Sequence, residues 1–194
     1  MTKFLIVYDH PYIHSFNHAV LEKVVTKLTQ QGDSYDVIDL YQDGFNPAYD
    51  AEELRLFHRG QTHDPLVRQY LTQLKTADAL IVITPIWWND LPGMLKGFVD
   101  KVMKEGPELT HVVTKTGVQG TLTNIRKGYV LTTSTSPTFY LRWACGNAIK
   151  KVFIHTTLKQ LGIRHVKWSN CGGITNVTAE KREGYLAKVS QMSF

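Results

Sequence analysis

Two kinds of hydrophobic spacing alternate along the chain. Lys3–Tyr8 (KFLIVY) is an almost unbroken apolar run, as expected of a strand covered on both faces. Between Phe16 and Gln31, Val20, Leu21, Val24, Val25 and Leu28 recur at helical spacing, and Gly32 stands where a C-terminal cap belongs. Ser34–Tyr41 (SYDVIDLY) reads as a second strand. The irregular stretch DGFNPAYDAEELRLFHRGQTHD follows, with a short helix expected from Ala51 to Phe57. Pro65–Thr76 predicts a helix with Leu66, Val67, Tyr70, Leu71 and Leu74 on one face, and Ala79–Thr84 a third strand. Pro92 suits the first turn of the next helix, because its missing N–H has no intrahelical acceptor to lose. Leu95, Phe98, Val99, Val102 and Met103 give that helix its buried stripe. Glu105–Lys127 has little periodicity and reads as a long loop. Tyr129–Thr133 predicts strand four, Ala148–Leu161 a helix closed by Gly162, His165–Ser169 strand five, and Thr178–Gln191 a terminal helix.

Five strands alternating with helices predict an α/β fold, one five-stranded parallel sheet with helices on both faces. No repeat, low-complexity tract or linker interrupts residues 1–194, so a single domain is expected. In open sheets of this kind ligands bind beyond the carboxyl ends of the strands, where the strand order reverses. For the order 2-1-3-4-5 that crevice lies between strands one and three. Three strand exits face it.

The first exit, Asp9–Asn17 (DHPYIHSFN), leads into a helix start, where free amides and the helix dipole favour a phosphate. Ser15 can add a hydroxyl, Asn17 can cap or donate, and His10 can reach a pyrophosphate or ribose. Capping alone would also explain Ser15 or Asn17. The second exit is Pro85–Asp90 (PIWWND). Strand neighbours alternate sides, so Trp87 and Trp88 cannot both enter one core; at least one should face the crevice as a platform for a flat aromatic ligand. The third is Thr132–Tyr140 (TTSTSPTFY), whose hydroxyls suit ligand carbonyls and whose Tyr140 can donate a proton or hydrogen bond at a reacting centre.

Bulk properties narrow the field. A net charge of +5, scattered along the chain, can help an anionic cofactor approach, but it forms no basic stripe of the kind nucleic acid needs. The same positive balance counts against a free flavodoxin-type electron carrier. Cys145 and Cys171 have neither C-x-x-C nor zinc-like spacing, which suits a reducing compartment. His14 and His18 lack a third ligand, so no metal site is expected. The apolar run Phe4–Tyr8 is too short for a signal-peptide core and nothing later approaches a membrane span, so a cytoplasmic protein without membrane insertion is expected. No G-x-S-x-G elbow supports hydrolysis.

The segments VYDHPYIHSFNHA, DLYQDGFNPAYDAEEL, PIWWNDLPGMLKGFVDKV and TTSTSPTFY resemble those of the flavodoxin-fold NAD(P)H:quinone oxidoreductases, of the DT-diaphorase, modulator of drug activity B and potassium-efflux ancillary types. Most specific is P-x-W-W-x-x-x-P-x-x-x-K-G-F-x-D, matched by Pro85, Trp87, Trp88, Pro92, Lys96, Gly97, Phe98 and Asp100. The resemblance implies a flavodoxin-like fold and a bound flavin, FMN or, by likeness of the SFN loop to FAD-dependent members, FAD. It places His10, Ser15, Phe16 and Asn17 at the flavin's phosphate and sugar. Pro85, Ile86, Trp87, Trp88 and Asn89 would line its isoalloxazine, and Thr132, Thr133, Ser134 and Thr135 would bind the ring's polar edge. Tyr140 would stand over the ring. It further implies a homodimer, NAD(P)H as electron donor, and two-electron transfer to a quinone or similar aromatic acceptor by a ping-pong mechanism.

Two departures stand out. The family's T-T-G-G is Thr132-Thr133-Ser134-Thr135 here, and Cys145-Gly146 is the nearest match to a His-Gly pair of longer members. They motivate an alternative reading, a flavin- or nucleotide-binding module that regulates a partner protein.

Overall fold

A computed structural model describes residues 1–194. Strands β1 (Lys3–Tyr8), β2 (Ser34–Asp39) and β3 (Ala79–Ile86) are joined by α1 (Phe16–Gln31), α2 (Ala51–Phe57) and α3 (Pro65–Thr76). α4 (Gly93–Val102), the hairpin β4 (His111–Thr114) and β5 (Gly117–Gly120), then β6 (Lys127–Ser134) and α5 (Thr138–Trp143) follow. A π-helix (Ile149–Leu158), β7 (Val166–Gly172) and α6 (Ala179–Ser190) complete the chain. The main sheet runs β2-β1-β3-β6-β7 with every pairing parallel, which is the expected 2-1-3-4-5 order once the hairpin strands are set aside.

The continuous apolar runs are explained by two cores, one on each face. Leu5, Val7, Leu80 and Val82 pack with Phe45, Tyr70, Phe98 and Phe153, whereas Phe4, Ile6, Ile81 and Ile83 pack with Val20, Val24, Tyr185 and Val189. All eight residues of β3 are buried, since this central strand is covered above, below and on both edges. α1 ends as its sequence predicts: Gly32 at φ +73° lets its amide bond back to Leu28 and Thr29.

Three elements differ from expectation. Glu105–Lys127 is not all loop; its β4–β5 hairpin closes on the two residues Lys115-Thr116, in strands too short and too polar to register as a period. The expected α-helix at Ala148–Leu161 is wound as a π-helix, with the Thr156 hydroxyl bonding the Lys151 carbonyl five residues back. Residues after Pro137 form α5 instead of continuing a loop, which puts Tyr140 on a helix. No helix is long and apolar enough to cross a membrane.

Candidate functional site

The exit of β1 is held against its neighbour by the Asp9 amide, which donates to the Ile83 carbonyl at 3.0 Å. The Asp9 side chain is buried. Its Oδ2 accepts from the Thr84 hydroxyl at 2.8 Å, while its Oδ1 has no partner. Burial pushes the Asp9 pKa up to about 7; the Thr84 bond opposes the rise and the Asp39 charge adds to it. One residue on, His10 Nδ1 accepts from the Tyr12 amide at 3.1 Å, and partial burial lowers its pKa. A neutral His10 therefore carries its proton on Nε2. Ser15 caps α1, its Oγ accepting from the His18 amide at 3.1 Å. Asn17, 3% exposed, donates through Nδ2 to the Thr133 hydroxyl at 2.9 Å and leaves Oδ1 unpartnered. Seven buried side-chain polar atoms in the protein lack a partner, and four of them (Tyr8 Oη, Asp9 Oδ1, Asn17 Oδ1 and His18 Nδ1) belong to this one exit and helix start. Buried polar groups normally find partners, so the concentration marks the segment.

β3 ends abruptly at Ile86. Trp87 and Asp90 exchange backbone hydrogen bonds at 3.0 and 3.1 Å around a two-residue turn whose tips, Trp88 and Asn89, sit at φ +51° and +68°. Such turns ordinarily carry Asn or Gly at both tips, and a left-handed tryptophan costs about 1–2 kcal/mol. The chain reverses here, so strand alternation no longer decides where the indoles go. Trp87 is 44% and Trp88 98% exposed, and neither belongs to the core. The amides of Trp88 and Asn89 make no hydrogen bond within the protein.

At the β6 exit, alternation does hold, and it splits the Thr-Thr-Ser-Thr sequence between the two faces. Thr133 turns toward α1 and meets Asn17. Thr132 and Ser134 turn the other way and both meet Asn170 of β7, which is in register with Thr132. Trp168 Nε1 donates to Thr132 Oγ1, Thr132 Oγ1 donates to Asn170 Oδ1, and Asn170 Nδ2 donates to both Ser134 Oγ and Thr138 Oγ1, each at 2.9 Å. Ser134 Oγ in turn donates to the Ser136 carbonyl at 2.7 Å. Below this network Arg142 stacks on the Trp168 ring, 5.2 Å from its centroid.

The three exits enclose two adjoining cavities. One, of about 520 Å³, is walled by Trp87, Trp88 and Asn89 on one side and Thr135, Tyr140 and Leu141 on the other. The second, of about 200 Å³, runs to the start of α1 past His10, Ser15, Phe16 and Asn17, with Pro85 and Thr133 along its side. Ile86, Trp87, Ser134 and Thr135 border both. Thus every residue singled out from the sequence borders the crevice except Thr132, whose hydroxyl is consumed by Asn170 and Trp168. Sequence reasoning missed Asp9 and Asn170. An acid directly after an apolar strand is the signal for Asp9. β7 runs on through polar residues to Gly172, three past the expected end at Ser169, and so takes in Asn170.

This geometry fits a flat aromatic cofactor with a phosphorylated tail. Indole walls and free turn amides flank the wider cavity, and the narrower one ends at a helix N-terminus beside the unpartnered Asn17 Oδ1, which a sugar hydroxyl would satisfy. No group of three or more His, Cys, Asp or Glu side chains is placed to hold a metal ion.

Comparison with known proteins agrees in extent. A family model described as flavodoxin-like fold matches residues 2–192. An NAD(P)H oxidoreductase of Haemophilus influenzae is 23% identical over 188 residues, 96% of this chain and 92% of that protein. Among solved structures, Smu.1420 of Streptococcus mutans is 31% identical with a TM-score of 0.83, covering 97% of both chains. The NAD(P)H:quinone oxidoreductase of Methanothermobacter marburgensis is 25% identical with a TM-score of 0.85, covering 98% of this chain and 96% of its own.

Proposed function

The chain belongs to the flavodoxin-like fold family, and from that premise we propose that it is an oxidoreductase, a flavin-dependent NAD(P)H:quinone-type reductase formed by one flavin-binding domain. Its similarity to an NAD(P)H oxidoreductase and an NAD(P)H:quinone oxidoreductase supports the reaction class. The observation that carries the reading is the pair of adjoining cavities, one flat and indole-walled, one ending at a helix N-terminus. Bound there, a flavin supplies hydride acceptance and two-electron donation.

The chain's own residues supply the rest. The α1 amides and Ser15 would hold the tail phosphate, and the Asn17 carbonyl oxygen and His10 Nε2–H would meet its sugar hydroxyls. Trp87 and Pro85 would support the ring. The free amides of Trp88 and Asn89 would donate to it and offset the negative charge that reduction brings. Tyr140, across the wider cavity, would offer its hydroxyl as a hydrogen-bond donor to the ring or substrate. In this reading NAD(P)H and the quinone would take the same place against the ring in turn, the condition for a ping-pong mechanism. Trp88, Phe139, Tyr140 and Trp143 leave an exposed apolar rim at its mouth, which a second copy of the chain covers in the homodimer we propose. The SFN loop favours FAD over FMN by resemblance, and chromatography of the released flavin decides between them.

The test is reconstitution with FAD or FMN followed by steady-state kinetics with NADH or NADPH and a quinone. Bound flavin with parallel double-reciprocal lines is expected. Failure to bind either flavin overturns the proposal. Bound flavin without turnover on quinone, azo or nitro acceptors favours a regulatory flavin-binding module.

A further inference from the structure

We infer that Asn170 is a positioning residue of the site: it locks the Ser134–Thr138 loop, so that the Ser134 hydroxyl serves the protein and the Thr135 and Ser136 amides face the ligand. The inference rests on the flavin reading only for what that ligand is. Thr132, Ser134, Trp168 and Asn170 lie on one face of adjacent parallel strands, Thr132 directly opposite Asn170 and Ser134 opposite Gly172. The primary amide of Asn170 uses both N–H donors, on Ser134 and Thr138, and its oxygen accepts from Thr132, so this half-buried side chain has no donor left for a ligand. Its two acceptors lie on either side of Pro137, at the two ends of the loop. One side chain therefore sets the loop's span.

The backbone is tied down at the same place. The Gly173 amide donates to Ser136 O at 3.2 Å, and the Ile174 amide to Ser134 O at 3.0 Å. A Cβ on Gly172 would lie 2.5 Å from the Thr138 amide nitrogen, so the loop rests directly on β7. With Ser134 Oγ already donating to the Ser136 carbonyl, the loop offers the crevice the Thr135 and Ser136 hydroxyls and the amides of Thr135 and Ser136, neither amide bonding within the protein. This assigns a job to the serine that stands where the family has glycine. A flexible pair becomes a fixed donor pair, pre-organised at the cost of loop freedom. Asn170 reaches the ligand only through that loop.

The experiment compares Asn170→Ala, Ser134→Ala and the double variant by FMN and FAD affinity, by global stability in denaturant, and by hydrogen exchange, without flavin, of the Gly173 and Ile174 amides that bond the loop carbonyls. A positioning role predicts that Asn170→Ala speeds exchange at Gly173 and Ile174 at least tenfold. It also predicts a roughly tenfold weaker flavin affinity, about 1.4 kcal/mol, that adds little to the loss caused by Ser134→Ala. Asn170→Leu, which is similar in size but can neither donate to Ser134 and Thr138 nor accept from Thr132, should behave like Asn170→Ala. Unchanged exchange in Asn170→Ala overturns the inference, as do additive affinity losses or wild-type exchange in Asn170→Leu. If wild type and variants all bind no flavin, the functional proposal fails while the exchange result still decides the role of Asn170. Should Asn170→Ala not fold, Thr132→Val, which deletes the bond anchoring Asn170 Oδ1, is measured by the same exchange and read the same way.

Discussion

Two buried polar clusters lie in this molecule, and they are built on opposite principles. Under the 43–64 segment, Lys104 and Glu53 are both fully buried and paired; the second carboxylate oxygen of Glu53 accepts from the Thr62 hydroxyl at 2.9 Å and the His63 amide at 3.3 Å. The rings of Phe57 and Tyr49 flank the ammonium at 5.3 and 5.8 Å, and the neighbouring Lys101 is held by Asp64 and the Asn46 carbonyl. No atom of that cluster is left without a partner. Around Tyr8–His18, by contrast, four buried atoms are. The complete cluster is a fastening between the irregular segment and α4. The incomplete one reaches the crevice only at Asn17, whose Oδ1 a ligand could complete. Satisfaction, not burial or charge, separates them.

The contrast can be broken most forcefully at the fastening. Lys104→Ala strands a buried carboxylate, so equilibrium denaturation should show a loss of about 3–5 kcal/mol, with flavin affinity of the folded protein unchanged. A loss below about 1 kcal/mol would mean that Glu53 finds water or protonates cheaply.

Asp9 tests the other side. Its native pKa of about 7 lies above the ordinary value of 3.8, so between those values the folded state holds a proton that the unfolded state has lost. Stability from this group accordingly falls as pH rises from about 4 to 7 and levels off above, by about 4 kcal/mol at most. Asp9→Asn should be more stable than wild type at pH 8 and no more stable at pH 4. A difference independent of pH would show that Asp9 titrates normally.

Smaller effects should separate binding from stability at the indoles. Trp87→Ala should weaken flavin affinity about tenfold, roughly 1.4 kcal/mol, and shift stability by less than about 0.5 kcal/mol, because the side chain packs into no core. Trp88→Gly should raise stability by about 1 kcal/mol, since it relieves a left-handed tryptophan, while modestly weakening affinity. Equal and opposite movement of the two quantities is the signature of strain kept for binding.

Much of this was legible in the residues. Runs such as ALIVIT specify central strands on their own, and the order of strands and helices then limits the ligand to one crevice. Apolar periodicity cannot report what happens where a strand stops. Strand alternation sends at least one of Trp87 and Trp88 to the crevice, and the reversal at Ile86 frees both from the core. Asn170 escaped notice because its significance lies in three partners far away in sequence, brought together by the register of β6 and β7. The β4–β5 hairpin was hidden for a related reason, its four-residue strands being held by pairing with each other and not by an apolar face.

The turn that sets Trp88 in open water also wires the protein with an optical probe. Of four tryptophans, Trp88 and Trp143 stand almost wholly in solvent, while Trp168 is half-buried with its indole N–H engaged by Thr132. Emission of the empty, dissociated chain should thus be dominated by water-relaxed indoles at long wavelength, and pairing of two copies over Trp88 and Trp143 should shift it to the blue. A yellow chromophore settling against Trp87 and Trp88 would quench the two indoles nearest it and leave the shorter-wavelength light of Trp168 more prominent. Loading of the site would then be visible as a change in colour as well as in brightness, with no label attached.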